Sequence, residues 1–356
     1  MNIFKNYKKY LYNCFLILVL NLIQFSTNFA YTNNYKINNI AITEPYDINF
    51  DKLEVIDKAF LTAFSELLNK TIDSQSLKKL DNIKINNVKK LVESFEIIEE
   101  NFVNNNYSAI LNVSFEKKKF LSFLEVKNIF SSIPINKKIL FLPVNISADK
   151  KNVSLFSENK FFIEWNKVNQ KYHLINYILP NEELDDLIII KNNLDSIENY
   201  DFKELVSKYD LSDYIILMVF ESEEKVKTLS RININNEVYL LRNEFKLTDA
   251  KNLKKTINKL KTSYEDQWKK INVINTSIKL NINVSVNSKD YNTINALEES
   301  LKKIDLVSKF KIDQFSNKKI IYKITYNGTP DKFLSDFIKH GLKVNQSKEI
   351  WEVFYN

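Results

Sequence analysis

Four acidic residues that lie close together are the clearest candidates for chemistry in this sequence. Glu182, Glu183, Asp185 and Asp186 fall within one short segment. Paired carboxylates can bind a hard divalent cation, or they can supply the general acid and general base of a hydrolase. The same segment begins a predicted helix, where carboxylates are stabilised by the helix dipole. The cluster is therefore a candidate for a metal site or an acid-cluster hydrolase, with helix capping as the alternative.

The two histidines are the remaining candidates for a general base. His173 follows Tyr172 in a predicted strand, whereas His340 lies in the last turn of a predicted helix, just before Gly341. We expect a half-exposed strand residue at His173 and an interaction with the helix C-terminal dipole at His340. Only two glycines occur, which excludes glycine-rich phosphate loops of the Walker or dinucleotide type. Apart from the acidic cluster, we predict no catalytic residue, no metal ion and no cofactor.

Aromatic side chains provide a different kind of candidate, a stacking surface for a small molecule or a glycan. Trp165, Tyr264 and Trp268 would form such a site between two domains. The opposing interpretation is core packing, because the aromatic residues of this chain mostly recur at the spacing of buried helix and strand positions.

Positive charge is abundant but weakly concentrated along the chain. The net charge is +7, and it falls to +4 when the first thirty residues, with Lys5, Lys8 and Lys9, are removed. Such a charge is too small and too dispersed to predict a nucleic-acid surface. Lysine runs at residues 117–119 and 254–255 are interpreted as solvated helix faces, with an anionic lipid or polyanion surface as the alternative.

The first thirty residues have the three parts of a secretory signal. A basic start precedes an apolar core at residues 11–25, and Ala30 offers a small residue for cleavage. The core is shorter than the roughly 20 residues of a membrane-spanning helix. We therefore predict export to the periplasm, with an uncleaved anchor in the inner membrane as the alternative. The only cysteine, Cys14, belongs to this segment, so the mature chain would contain no disulfide.

The remaining chain predicts a multidomain α+β or α/β protein with three domains, at residues 31–135, 136–273 and 274–356. The first has the pattern βααββα: an extended segment, an amphipathic helix at 51–70, a helix near 85–94 and two strands. The Asn104-Asn105-Asn106 segment joins the strands as a tight turn, because asparagine tolerates left-handed backbone.

The second domain predicts a small α/β sheet. Its strands at residues 139–144 and 214–220 are apolar without interruption, as strands buried on both faces are. Trp165 and residues 172–178 predict further strands. Short helices at 181–190 and 201–209, a hairpin across Asn235-Asn236 and a long helix from Asp249 complete the domain.

The third domain predicts a βαββαβ ferredoxin-like sandwich with an additional final hairpin. A strictly alternating strand begins near Ile278, and Ser288 is expected to cap the helix that follows. Thr329 and Pro330 have the residue types of the N-cap and first position of a second helix, which ends at Gly341.

Several segments resemble the bacterial domain-of-unknown-function 2066 family. They are Leu67-Leu68-Asn69-Lys70, residues 107–115 with Phe120-Leu121, residues 139–144, residues 326–334, Gly341-Leu342 and Trp351. This resemblance implies an exported envelope protein of bacteria without an established activity, and it assigns no catalytic residue.

The signal, the serial small domains and the scarcity of catalytic groups favour a non-enzymatic scaffold or protein-interaction role in the envelope. We expect envelope proteins as partners, no nucleic acid, and contact with the membrane only through an uncleaved N-terminal segment. The alternatives are a periplasmic protein that binds a small molecule or a glycan, and the acid-cluster hydrolase.

Overall fold

The computed structural model of this chain describes residues 35–80, 83–147, 152–221, 225–246, 252–275, 278–347 and 349–355. The predicted signal segment lies outside these residues. The strands form several separate sheets, and helices connect them. The chain is therefore a multidomain α+β protein, as the sequence predicts. The described parts of residues 31–135, 136–273 and 274–356 are called the N-terminal, middle and C-terminal units below.

The N-terminal unit is a three-stranded antiparallel sheet packed against helices. Its elements are β1 Lys36–Pro45, α1 Lys52–Thr71, α2 Ser74–Leu77, a 3₁₀ turn Lys78–Leu80, α3 Ile85–Lys89, β2 Val92–Val103, β3 Asn106–Phe115 and α4 Lys117–Val126. The strand order is β1-β3-β2, which leaves β2 at an edge. The Asp51 carboxylate caps α1 by accepting a hydrogen bond from the Leu53 amide at 2.7 Å. Phe64 of α1 and Phe120 of α4 are buried against the sheet.

One predicted boundary in this unit is wrong. The helix expected to reach Ser94 ends at Lys89, because Val92 and the residues after it pair with β3 instead. The predicted turn is confirmed, since Asn104 and Asn105 have φ values of 52° and 57°.

The middle unit is built on a mixed sheet with helices on both faces. Two short linker strands lie at its borders with the neighbouring units, β4 Ser131–Ser132 and β11 Val273–Ile274. Its own elements are β5 Lys137–Ile146, β6 Val153–Ser154, a 3₁₀ turn Phe156–Glu158, α5 Lys160–Glu164, a 3₁₀ turn Trp165–Lys167, β7 Ile175–Ile178, α6 Leu184–Asn192, a 3₁₀ turn Leu194–Ser196, α7 Lys203–Ser207, β8 Tyr214–Glu221, β9 Lys225–Ile234, β10 Glu237–Lys246 and α8 Leu253–Ile271. The strand order is β10-β9-β8-β5-β6, and β7 pairs with the first half of β5.

Burial of β5 and β8 on both faces is confirmed. Phe141 and Leu217 belong to one hydrophobic core, whereas Leu142 and Met218 belong to the core on the opposite face. The two strands are parallel neighbours in the centre of the sheet. Their uninterrupted apolar sequence is therefore the direct result of two covered faces.

The strand predictions at Trp165 and His173 and the predicted start of α6 need correction. Trp165 starts a 3₁₀ turn, and His173 lies in the loop before β7, so neither is a strand residue. Helix α6 begins at Leu184, three residues later than expected from residue 181. The predicted helix start at Asp249 lies outside the described residues, and the described helix begins after Asn252, whose side chain accepts a hydrogen bond from the Lys255 amide.

The C-terminal unit has one open sheet with both helices on one side. Its elements are β12 Leu280–Asn287, α9 Tyr291–Lys303, β13 Val307–Phe315, β14 Lys319–Tyr326, α10 Pro330–Lys339, β15 Leu342–Asn345 and β16 Trp351–Tyr355. The strand order is β13-β14-β12-β16-β15. The predicted final hairpin is present, but its second strand lies beside β12, in parallel, and displaces β15 to the edge. In a simple ferredoxin-like sandwich, β15 would pair with β12.

Helix ends explain the other differences in this part of the chain. Asp290 caps α9 in place of Ser288, because its carboxylate reaches the Thr293 amide at 3.0 Å. The Thr329 cap and the position of Pro330 are confirmed. Three large apolar residues in the first or last turns of helices are exposed, although each is at helical spacing from other apolar residues of its helix: Leu53 of α1, Tyr291 of α9 and Ile338 of α10.

Candidate functional site

Three charged residues buried on one face of α8 form the most unusual feature of the middle unit. Lys261, Glu265 and Lys269 follow each other at intervals of four residues and expose only 0%, 3% and 6% of their surface. Burial of a charged group destabilises a protein unless hydrogen bonds compensate for the lost hydration. The partners of these three side chains therefore define what this face of the helix does.

The Lys261 ammonium group is held by the loop that follows α5. It donates hydrogen bonds to the Val168 carbonyl at 2.6 Å and to Asn169 Oδ1 at 3.0 Å. The Trp165 and Tyr177 rings lie 5.3 and 4.9 Å from the same nitrogen, in the range of cation–π interactions. Burial lowers the pKa of Lys261 to about 8. A lysine with such a pKa is chemically competent as a nucleophile, but here its nitrogen is enclosed and bonded to the loop.

The Glu265 carboxylate fixes the start of β7. Both of its oxygens accept hydrogen bonds from the Leu174 amide at 3.1 Å, and one also accepts from the Ile175 amide at 2.9 Å. Burial raises the pKa of Glu265, while these amides and the charges of Lys269 and Lys261 oppose that rise. The carboxylate thus substitutes for a neighbouring strand at backbone groups that would otherwise be unsatisfied.

Lys269 connects α8 to the N-terminal unit. Its ammonium group donates hydrogen bonds to the carbonyls of Asn69, at 2.6 Å, and Ile72, at 3.0 Å. These carbonyls belong to the C-terminal end of α1, where backbone oxygens have no partner within the helix. One turn away, the Asp266 carboxylate accepts hydrogen bonds from the Ser74 amide at 2.8 Å and from its hydroxyl at 2.6 Å. The end of α8 therefore binds the segment between α1 and α2 with two opposite charges.

The two linkers between units lie side by side at this contact. β4 and β11 pair as a short antiparallel ladder, and the Ile133 amide donates to the Asn272 carbonyl at 3.0 Å. The Trp268 indole N–H donates to the Ile135 carbonyl at 2.8 Å. We call the contacts of Lys269, Asp266 and this ladder the α8 joint.

A cavity of about 490 Å³ lies beside the buried charges, at the amino ends of β5 and β7. Its polar lining consists of carboxamides, an imidazole and two ammonium groups: Asn136, Lys137, Lys138, Asn169, Gln170, His173 and Asn176. Lys137 is already ion-paired with Asp213, whereas Lys138 is exposed. The cavity therefore presents mostly uncharged hydrogen-bonding groups, which suit a small polar molecule.

His173 is the titratable group of this cavity whose pKa differs most from its ordinary value. Burial, assisted by the charges of Lys261 and Lys269, lowers the pKa of its imidazole to about 4. Its Nδ1 atom lies 3.4 Å from the Gln170 amide and accepts a hydrogen bond from it. At neutral pH the ring is therefore uncharged.

The four acidic residues that are clustered in the sequence do not form one site in the structure. Glu182 accepts hydrogen bonds from Ser157, and Asp185 is exposed. Glu183 and the buried Asp186 both form ion pairs with Lys208, at 2.9 and 2.7 Å. Among the residues that the structure describes, no group of three or more His, Cys, Asp or Glu side chains is arranged to hold a metal ion.

The three aromatic residues considered for ligand stacking lie in the core. Trp165, Tyr264 and Trp268 expose 0%, 1% and 4% of their surface. The Trp165 ring stacks on Phe141 at a centroid distance of 3.8 Å, and the Tyr264 hydroxyl is 2.6 Å from the Ser230 hydroxyl. The helical period of α8 directs Tyr264 and Trp268 toward the core, and Phe141 covers the ring of Trp165.

The remaining predicted residues have structural partners or face solvent. His340 Nδ1 lies 2.8 Å from the Asp336 carbonyl in the last turn of α10, the position expected for interaction with the helix end. Lys118, Lys119, Lys254 and Lys255 are exposed. Lys117 differs from this expectation, because it donates to the Ile304 carbonyl at 3.3 Å and pairs with Asp305 at 3.2 Å.

Comparison with known proteins adds no relative. No protein-family model matches the chain, and no curated protein matches it either. Within the described ranges, no helix is both long enough and apolar enough to cross a membrane.

The low pKa of His173 predicts a specific loss of stability in acid. The unfolded histidine binds a proton below about pH 6.5, whereas the folded one does so only near pH 4. Between these values the unfolded state binds more protons, so the free energy of unfolding decreases as the pH falls from 6.5 to 4. In H173N this contribution is absent, and urea unfolding at a series of pH values should show a shallower decrease. Equal slopes for the two proteins would contradict the assignment.

Proposed function

We propose that this chain is an exported, non-enzymatic protein of the bacterial cell envelope that acts as a scaffold for other envelope proteins. The predicted signal and the resemblance to the domain-of-unknown-function 2066 family support export to the periplasm. An N-terminal anchor in the inner membrane, with the three units facing the periplasm, is the alternative form of this proposal.

The observation that carries the scaffold role is the α8 joint. Lys269 is nearly fully buried and donates hydrogen bonds to carbonyls of another unit. An ammonium group buried there is stabilised only when the end of α1 lies in one position, because each missing carbonyl would leave a desolvated charge. Such a joint favours one arrangement of the N-terminal and middle units, which is what a protein that presents surfaces at fixed separations requires.

The chemistry of α8 supports a non-enzymatic role. Lys261 and Glu265 have the shifted pKa values that often mark active sites. Both groups, however, are hydrogen-bonded to backbone atoms at the two ends of one loop, at Val168 and at Leu174 and Ile175. The pKa values of both groups are shifted because the two side chains are buried where they hold this loop in place.

The surface that best suits a protein partner is the free edge of β2. This strand is at the border of its sheet, so one side of its backbone can accept an added strand. Several of its large apolar residues are exposed: Phe95, Ile98, Phe102 and Val103.

Fractionation of the native bacterium tests export. We expect the protein in the envelope fraction, with Tyr31 as its first residue if the signal is cleaved. Residence in the inner-membrane fraction with Met1 retained would select the anchored alternative. Recovery from the cytoplasm with Met1 intact would contradict the proposal.

Photo-crosslinking in intact cells tests the scaffold role. A photoreactive residue at Ile98, which is 51% exposed on the β2 edge, should attach to a specific envelope protein that mass spectrometry identifies. The matched control is Tyr291, which is 74% exposed in the C-terminal unit, far along the chain from β2. An identical set of adducts at the two positions, or none at Ile98, would argue against a partner on this edge.

The cavity near His173 favours a second candidate function, the binding of a small polar molecule. A thermal-shift screen with uncharged and acidic metabolites tests it, since a ligand at 100 times its dissociation constant stabilises the folded state by about 2.7 kcal/mol. A true ligand should stabilise the wild-type protein and lose its effect in N136A and N176A. A screen in which every compound acts equally on wild type and variants would reject this candidate.

A further inference from the structure

The open face of the C-terminal sheet concentrates lysines that are scattered in the sequence. Residues of β14 alternate between the core, which contains Tyr322 and Ile324, and the opposite face, which contains Lys319 and Lys323. In β13 the pairing of Phe310 with Ile324 assigns Phe310 to the core side. The residues of the opposite face that carry positive charge are Lys309, Lys311, Lys319, Lys323 and Lys343.

Two of these lysines are directly opposed. Lys311 pairs in register with Lys323 on the neighbouring strand, so both side chains leave the sheet on the same side. Like charges at directly opposite positions destabilise a sheet. Lys311 has only a distant partner, Asp313 at 3.8 Å, and its side chain is 69% exposed. Lys323 forms no ion pair with any residue that the structure describes. An external anion would relieve this repulsion.

Uncharged hydrogen-bonding groups border the lysines on the next strand. Asn281 lies opposite Thr325, Asn283 opposite Lys323, and Asn287 opposite Lys319. Three rows of the face therefore combine a cation with a carboxamide or a hydroxyl, because Lys309 of β13 lies opposite Thr325, whereas the row of Ser285 and Ile321 has no cation. Two acidic residues lie on the described part of the face: Asp313, which follows Lys311 by two residues and is 3.8 Å from it, and Glu352 of β16, which pairs with β12 at Ser285, away from Lys309 and Lys311.

The N-terminal unit lies at one end of this face. A cavity of about 340 Å³ lies between α4 and the sheet, and its lining includes Lys118, Glu125, Lys279, Lys309 and Asn281. Glu125 is 3.5 Å from Lys279, so these two charges compensate each other. Lys118 and Lys309 add positive charge from opposite walls. The lysine face thus continues into a recess.

We propose that this lysine face binds an acidic polysaccharide, a role beyond that of the proposed scaffold. Residues two apart on a strand lie roughly 7 Å from each other and neighbouring strands about 5 Å apart. Lysines at these spacings match carboxylates or phosphates repeated along an extended chain, and the asparagines match the hydroxyl groups between them.

The face suits this ligand better than two other anionic ones. Single-stranded nucleic acid is bound through aromatic side chains that stack on bases. On the described part of this face, the sole aromatic residue is Phe354, which lies on β16 opposite Lys343 and away from the paired lysines. The attraction of an anionic bilayer falls off within a Debye length of its surface, and α4 stands beside Lys309 at the end of this face, where it would hold a bilayer away.

The test measures binding by the mature chain to fluorescein-labelled polygalacturonate, using anisotropy at 50 and 200 mM salt. The variant K311Q/K323Q removes the opposed pair. The control K302Q/K339Q removes the same charge from exposed positions on the helical side of the unit. We expect the control to bind like wild type, the face variant to bind at least tenfold more weakly, and higher salt to weaken wild-type binding. Thermal unfolding of the face variant should occur at or above the wild-type midpoint, because repulsion is removed.

Several outcomes would overturn the proposal. Equal affinities of the face variant and the control would show that general charge accounts for binding. Tighter binding to an oligothymidylate or to phosphatidylglycerol vesicles would assign the face to a nucleic acid or a membrane instead. The proposal would also be rejected if the folded wild-type protein bound neither polygalacturonate nor a polysaccharide that carries phosphate groups.

Discussion

The burial of the Lys269 ammonium group at the end of α1 is the interaction on which the arrangement of this chain depends. The group lies in the middle unit, yet its hydrogen-bond acceptors are carbonyls of the N-terminal unit. Burial lowers the pKa of Lys269, so the folded state tolerates this charge only through those contacts and the nearby acidic groups. The same helix fixes both ends of the loop between the Trp165–Lys167 turn and β7, through Lys261 and Glu265. One face of α8 therefore stabilises both the fold of the middle unit and the α8 joint with the N-terminal unit.

Much of the local structure could be predicted because single residues determine it. The Asn235-Asn236 turn requires left-handed backbone, and both residues have positive φ. Thr329 before Pro330 is a strong helix-start signal, and α10 begins there. Uninterrupted apolar strands predict two covered faces, which β5 has. Helix ends were less predictable, since Val92 is compatible with a helix until its pairing with β3 is known.

The candidate sites were less accessible to sequence reasoning for a physical reason. Lys261, Glu265 and Lys269 have the spacing of surface ion pairs on a helix, and only the loops packed over them make them buried. The acidic cluster looked like a site because four carboxylates are adjacent in sequence, yet their partners, Ser157 and Lys208, come from other segments. The lysine face could not be recognised in the sequence for the opposite reason. Its members are dispersed in sequence and meet through strand pairing.

The most direct test of the account is the distance between the N-terminal and middle units in a chain that begins at Tyr31. Spin labels at S65C on α1 and N258C on α8, both exposed positions, report it by pulsed dipolar spectroscopy. The account predicts one narrow distance distribution for the wild-type background and for K270M, which alters an exposed lysine, and a broad or shifted distribution for K269M. A broad distribution in the wild-type background, or a K269M distribution identical to that of K270M, would contradict the claim that the α8 joint fixes the units.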